Sequence, residues 1–120
     1  MEDKLNVSIK AWPDKPPTST RRLRLLAEAA SEYWNVDLED LKSKKRTLDL
    51  VWPRAVCMWL GTNAGYSSTA IGNFWNRDHG TVLHAVKLVT SLREHKPKYE
   101  TQFRQFGVFS KNYIRKKDPA

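Results

Sequence analysis

A chain of 120 residues, 40% apolar and 28% charged, holds enough material for one domain of ordinary size and is too apolar to be disordered. Lysine and arginine outnumber aspartate and glutamate by 21 to 13, a formal net charge of +8, and self-repulsion of that size points to a polyanionic partner, either nucleic acid or an anionic membrane surface. The single cysteine, Cys57, excludes an internal disulfide; no apolar run is long enough to span a bilayer, and Met1-Glu2-Asp3-Lys4 does not open a signal peptide, so a soluble cytoplasmic protein is expected.

Residues 1–18 read as an N-terminal arm. Leu5, Val7 and Ile9 alternate with polar residues as in a short extended piece, and Pro13, Pro16 and Pro17 forbid a helix before about Thr18. From Ser19 the period becomes helical. Ser19 or Thr20 is positioned to cap a first helix whose Leu23, Leu26, Ala27, Ala30, Tyr33 and Trp34 form a core stripe, and Asn35 ends it. Asp37 can cap a short second turn through Leu41, and the basic run Lys42-Ser43-Lys44-Lys45-Arg46 has no apolar face and reads as an exposed loop. A third helix is expected from Asp49 or Trp52 to about Asn63, with Pro53 in its first turn and Val56, Trp59 and Leu60 buried.

Gly65 then breaks the chain, and Ser67 or Ser68 caps a short fourth helix carrying Ile71 and Phe74. After a tight turn at Trp75-Asn76-Arg77, Asp78 stands where an N-cap would accept the Thr81 amide. The fifth helix that follows is expected to bury Val82, Leu83, Val86, Val89 and Leu92 until Pro97 stops it. Tyr99, Phe103 and Phe106 recur at helical spacing in a closing helix over 98–114, and the basic tail 115–120 reads as frayed. The expected architecture is all-α, a bundle of five to six helices, with a helix-turn-helix DNA-binding domain over 19–97.

A helix-turn-helix reads DNA with the first turn of its second helix, occupied here by Asp78, His79, Gly80 and Thr81. An Asp carboxylate can accept from the cytosine amino group, and a Thr methyl can touch the thymine methyl. On spacing alone a second account stands equally well: Asp78 as a cap only, His79 as a solvated side chain, and Thr81 packing its methyl. The basic loop divides the same way, between a solvated face and an Arg46 that enters a narrow A·T-rich minor groove with Lys44 and Lys45 on phosphates. His79 and His84 lie about a turn apart, but no carboxylate or cysteine completes a ligand set, so no metal or cofactor is implied. None of the five glycines opens a phosphate loop, and neither G-x-S-x-G nor H-E-x-x-H occurs, so no enzyme is expected. Cys57, inside an apolar run, reads as a small buried hydrophobe.

From about Leu25 to Leu92 the sequence resembles the C-terminal DNA-binding domain of the bacterial replication initiator DnaA, a Trp-repressor-like helix-turn-helix. Three stretches carry the likeness: Val36 through Arg46, similar to the family's acidic turn and basic loop; Trp52-Pro53-Arg54, similar to its R-P-R helix opening; and Arg77-Asp78-His79-Gly80-Thr81-Val82-Leu83-His84-Ala85, against the signature R-D-H-[ST]-T-V-L-H-A. The resemblance implies double-stranded DNA as partner, at A·T-rich sites related to the DnaA box, and a regulatory role in transcription or replication. It implies base contacts from Arg46, Asp78, His79 and Thr81 and backbone contacts from Lys44, Lys45 and Arg54; Ser68, Thr69 and Lys87 are further backbone candidates. The ATP-binding part of the initiator has no counterpart here. Gly80 stands where the family carries Ser or Thr, Leu48 and Trp52 where basic residues are usual, and Ser68-Thr69-Ala70 where Leu-Pro-Glu is usual. The stretches Gly61–Gly65 and Gly72–Arg77 each look one residue short, so a shifted preferred sequence is expected. A rival expectation is a protein-interaction module that mimics this domain and sequesters host replication proteins, with Trp12 and Trp52 as exposed anchors. An RNA binder is less consistent with aromatics that read as core.

Overall fold

Local capping chemistry sets most of the helix boundaries. A computed structural model describes residues 19–118, and among these it contains six helices and no strand. The first, α1 (Arg21–Trp34), ends at Asn35, whose left-handed backbone (φ 54°) turns its amide onto the Ser31 carbonyl. At its start Ser19 Oγ accepts the Arg21 amide at 3.0 Å, while the Thr20 side chain makes no capping bond. The Asp37 carboxylate accepts the amides of Glu39 and Asp40 and so starts α2 (Leu38–Lys42). Ser67 does the same for α4 (Ser68–Trp75) through the Ala70 amide, and Asp78 for α5 (His79–His95) through the Thr81 amide.

The central helix, α3 (Leu48–Asn63), departs from expectation. It begins one residue before Asp49, so Pro53 lies inside it rather than in its first turn. The carbonyl that Pro53 leaves without a helical donor belongs to Asp49, which is exposed and can be served by water. From Trp52 to Gly61 every residue of α3 is buried, as befits a helix apolar nearly all round. α1 and α5 pack on it, α4 packs chiefly on α5, and α6 (Pro97–Lys117) closes the bundle across α1 and α5. Cys57 is fully buried, its thiol pushed up by desolvation.

One residue separates the last two helices. Lys96 takes an extended backbone (φ −132°, ψ 104°), the conformation favoured before proline, and Pro97 then opens α6. The corner is held by Arg93, whose side chain is fully buried, with Nε 2.7 Å from Glu100 Oε1 and the guanidinium 3.7 Å above the Phe103 ring. The α1–α6 seam is aromatic: Trp34 lies 4.6 Å from Phe106, and the Tyr33 hydroxyl meets Gln105. α6 continues to Lys117, three residues beyond the expected Ile114, so Arg115, Lys116 and Lys117 are helical. Leu83 corrects another expectation: it is 50% exposed, because α5 turns Val82, Val89 and Arg93 into the core and leaves Val86 and Leu92 half-buried. No helix among the described residues is long and apolar enough to cross a membrane.

Candidate nucleic-acid interface

The turn between α4 and α5 is tighter than its sequence suggests. Asn76 takes a left-handed backbone (φ 57°), and the Arg77 amide returns to the Gly72 carbonyl at 2.8 Å. This brings the Arg77 carbonyl to 2.5 Å from the point where a Cβ on Gly72 would stand, so only glycine lets the chain fold back so closely. Asp78 then caps α5: its Oδ1 accepts the Thr81 amide at 2.8 Å and the Thr81 hydroxyl at 3.2 Å. Those two bonds to the ionised form hold the Asp78 carboxyl below its ordinary value.

Two arginines fasten the basic loop to this turn. Arg54, buried on α3, gives Nε to the Leu41 carbonyl at 2.7 Å and Nη2 to the carbonyls of Ser43 and, at 3.5 Å, Asp40. Arg77 also donates to Ser43, through a short bond from Nη2, and its Nη1 holds the Trp75 carbonyl at 2.7 Å. One carbonyl therefore receives an arginine from the core helix and one from the helix-turn-helix. Burial, and then the charge of Arg77, lower Arg54 to about 10; burial and then Arg46 lower Arg77. Both remain cations at neutral pH, and their summed charge makes the cleft they border attractive to anions.

That cleft measures about 730 Å³. It is lined by the cationic Lys44, Arg46, Arg54 and Arg77, with Asp78 the sole carboxylate among the lining residues, and by apolar residues that include Val51, Ala55 and Met58. Of the residues expected to read bases, Arg46, Asp78 and Thr81 line this one cleft, together with His84, and all four are exposed. His79 is exposed at the start of α5 but lies outside the lining, as do Lys87 on the outer face of α5 and Ser68 and Thr69 at the start of α4. Lys45 is exposed and ion-paired with Asp40 at 2.9 Å, which raises its ammonium. Arg54, expected at the DNA backbone, is buried, with Nε and Nη2 turned to loop carbonyls.

Two further placements were not legible in the sequence. Arg77 read as part of the turn, and nothing in its neighbourhood announces a bond to Ser43, 34 positions away. Trp52, expected as an exposed anchor for a protein partner, is only 8% exposed: its Nε1 donates to Gln102 at 3.0 Å, and its ring meets Tyr99 edge-on. The other expected anchor, Trp12, and the arm that carries it lie outside the described residues.

Residues 24–89 match the family described as the bacterial dnaA protein helix-turn-helix. The chain is 38% identical over 93 residues to the chromosomal replication initiator protein DnaA of Azoarcus sp. (strain BH72), a match covering 74% of this chain and 19% of that protein. It is 32% identical over 90 residues to DnaA of Caldanaerobacter subterraneus subsp. tengcongensis (72% and 20% covered). With DnaA of Dechloromonas aromatica (strain RCB) it shares 41% over 70 residues (57% and 15% covered). The chain thus spans about a fifth of the length of the curated relatives it matches.

Proposed function

This chain belongs to the bacterial DnaA helix-turn-helix family, and we propose that it binds specific sites in double-stranded DNA and regulates transcription or replication by occupying them, without catalysis. The observation that carries this reading is the junction at Ser43. Arg54 and Arg77 meet on its carbonyl, so the basic loop and the start of α5 are held as one unit bordering a cationic cleft. A duplex can then be engaged at two points: Asp78, His79 and Thr81 at base edges in the major groove, and Arg46 in the adjoining minor groove. In this reading Lys44, Lys87, Ser68 and Thr69 contact phosphates, and Lys45 joins them by exchanging Asp40 for a phosphate.

The preferred site retains an A·T-rich core related to the DnaA box but differs from it beneath Gly80. Gly80 brings no side chain to the first turn of α5, where the signature that this segment resembles has Ser or Thr, and Leu48, 87% exposed, offers no charge beside the loop. Selection of bound sites from random duplexes, followed by anisotropy titration at several salt concentrations, tests the proposal. The four exposed cations Lys44, Lys45, Arg46 and Lys87 should by themselves give log Kd a slope against log salt of about 3.5. Arg46→Ala should weaken binding and relax the A·T preference. Salt-independent binding, or specificity untouched by both His79→Ala and Thr81→Ala, would refute the assignment.

A further inference from the structure

The helix-turn-helix does not use all of the chain's positive charge. Arg21, Arg22 and Arg24 open α1, and Arg115, Lys116 and Lys117 end α6; all are exposed except half-buried Arg22. These segments, nearly a hundred positions apart in sequence, meet in the fold: Arg21 Nη2 donates to the Lys117 carbonyl at 3.1 Å, and its Nε lies 3.5 Å from Asp118. Asp118 pairs with Arg21 and Glu28 with Arg24 at 3.9 Å, two carboxylates against the five exposed cations Arg21, Arg24, Arg115, Lys116 and Lys117.

Its location also matters. The Tyr66 hydroxyl donates to the Ser19 carbonyl at 2.6 Å, two residues before α1 begins, and Tyr66 directly precedes Ser67, the cap of α4. Gly61 of α3 sits against both Leu23 of α1 and Ile71 of α4, which ties the same ends together through the core. The cluster therefore borders the end of α4 that carries Ser68 and Thr69, away from the cleft beside the basic loop.

We propose that this α1–α6 cluster is a second duplex-contacting surface, which extends the footprint past the recognition helix by binding phosphates of flanking DNA. This rests on the DNA-binding reading above. A polyanion with charge at regular spacing suits a patch built from two helix ends better than a single anion does, and its neighbours on α4 are hydroxyls suited to the same backbone. Basic residues at the end of α6 also suit the helix dipole, a role that affects stability but not binding to DNA.

The test compares the full chain with a variant carrying Arg115→Gln, Lys116→Gln and Lys117→Gln, and separately with Arg24→Gln. Each is titrated on the selected site alone and on the same site extended by about ten base pairs, one helical turn, on either side. Wild type should bind the extended duplex more tightly, with the steeper salt slope. Three lost phosphate contacts lower that slope by about 2.7, so the affinity lost between 50 and 200 mM salt should shrink about 40-fold in the triple variant. Arg24→Gln should shift the slope by about a third as much, and affinity for the short duplex should hardly change. Unchanged slope and length dependence in variants with native thermal unfolding would overturn the proposal. So would charge-dependent loss of binding to anionic phospholipid vesicles with DNA binding intact, which would make the patch a membrane surface. Wild type failing to bind any duplex would overturn the DNA-binding reading itself, a distinct result.

Discussion

Replacing Gly72 by alanine should damage the interface without removing a single chemical group from it. In most helices Gly→Ala stabilises by up to about 1 kcal/mol, because alanine loses less backbone entropy. Here the new Cβ would stand 2.5 Å from the Arg77 carbonyl oxygen and 3.4 Å from the Asp78 carbonyl carbon. Neither atom belongs to a flexible side chain, so the whole turn must back away. Overpacking of this kind costs about 1–3 kcal/mol. Displacing the turn also weakens the 2.8 Å bond from the Arg77 amide to the Gly72 carbonyl, worth about 1 kcal/mol net. Set against the propensity gain, the balance is a loss of about 2 kcal/mol, or about 8–10 °C in Tm for a domain of this size. Thermal unfolding by circular dichroism measures it, and anisotropy on the selected duplex should show weakened binding below the transition, because α5 is re-aimed against the loop. Gly80→Ala is the control: its Cβ meets only the Asp78 carboxylate, at 3.3 Å. A Gly72→Ala protein as stable as wild type, or more stable, would show that the close return of the chain does not exist.

Three other outcomes follow from the same geometry. Arg77→Met should loosen the basic loop by freeing the Trp75 carbonyl and leaving Arg54 as the remaining arginine donor to Ser43, and so weaken DNA binding while leaving helix content intact; hydrogen exchange at residues 43–47 should rise, and unchanged exchange would dissociate Arg77 from the loop. Gly80→Thr should shift the sequence selected from random duplexes at one or two adjacent positions by about 1–3 kcal/mol of discrimination, and an identical selected site would exclude Gly80 from the reading face. The third concerns acid. Burial pushes the Glu100 carboxyl up, but hydrogen bonds from Arg93 and Arg104 outweigh it, leaving the folded value below the ordinary 4.5. A depressed folded value means the stabilisation is full above about 4.5 and is lost as pH falls through the lowered value. Glu100→Gln should therefore be markedly less stable at pH 7, with Arg93 left buried beside a neutral partner, and should lose less stability than wild type on acidification. Parallel acid-unfolding curves would contradict this.

Much of the candidate site is legible in the linear order of residues. Asp37, Ser67 and Asp78 start helices and Asn35 ends one through bonds that span five residues or fewer, so the sequence alone determines them. The helical period likewise determines that α3 is core and that α4 and α5 form the helix-turn-helix. The tertiary structure decided what local chemistry cannot express. Arg54 and Trp52 lie in the stretch of α3 that is buried throughout, so their exposure depends on α2 and α6, not on their neighbours in sequence. Leu83 fits an apolar stripe but falls on the side of α5 that no helix covers. The convergence of Arg54 and Arg77 on the Ser43 carbonyl, like the meeting of Arg21 with Lys117, joins residues far apart along the chain. Periodicity reports which residues share a face; only packing determines what that face meets.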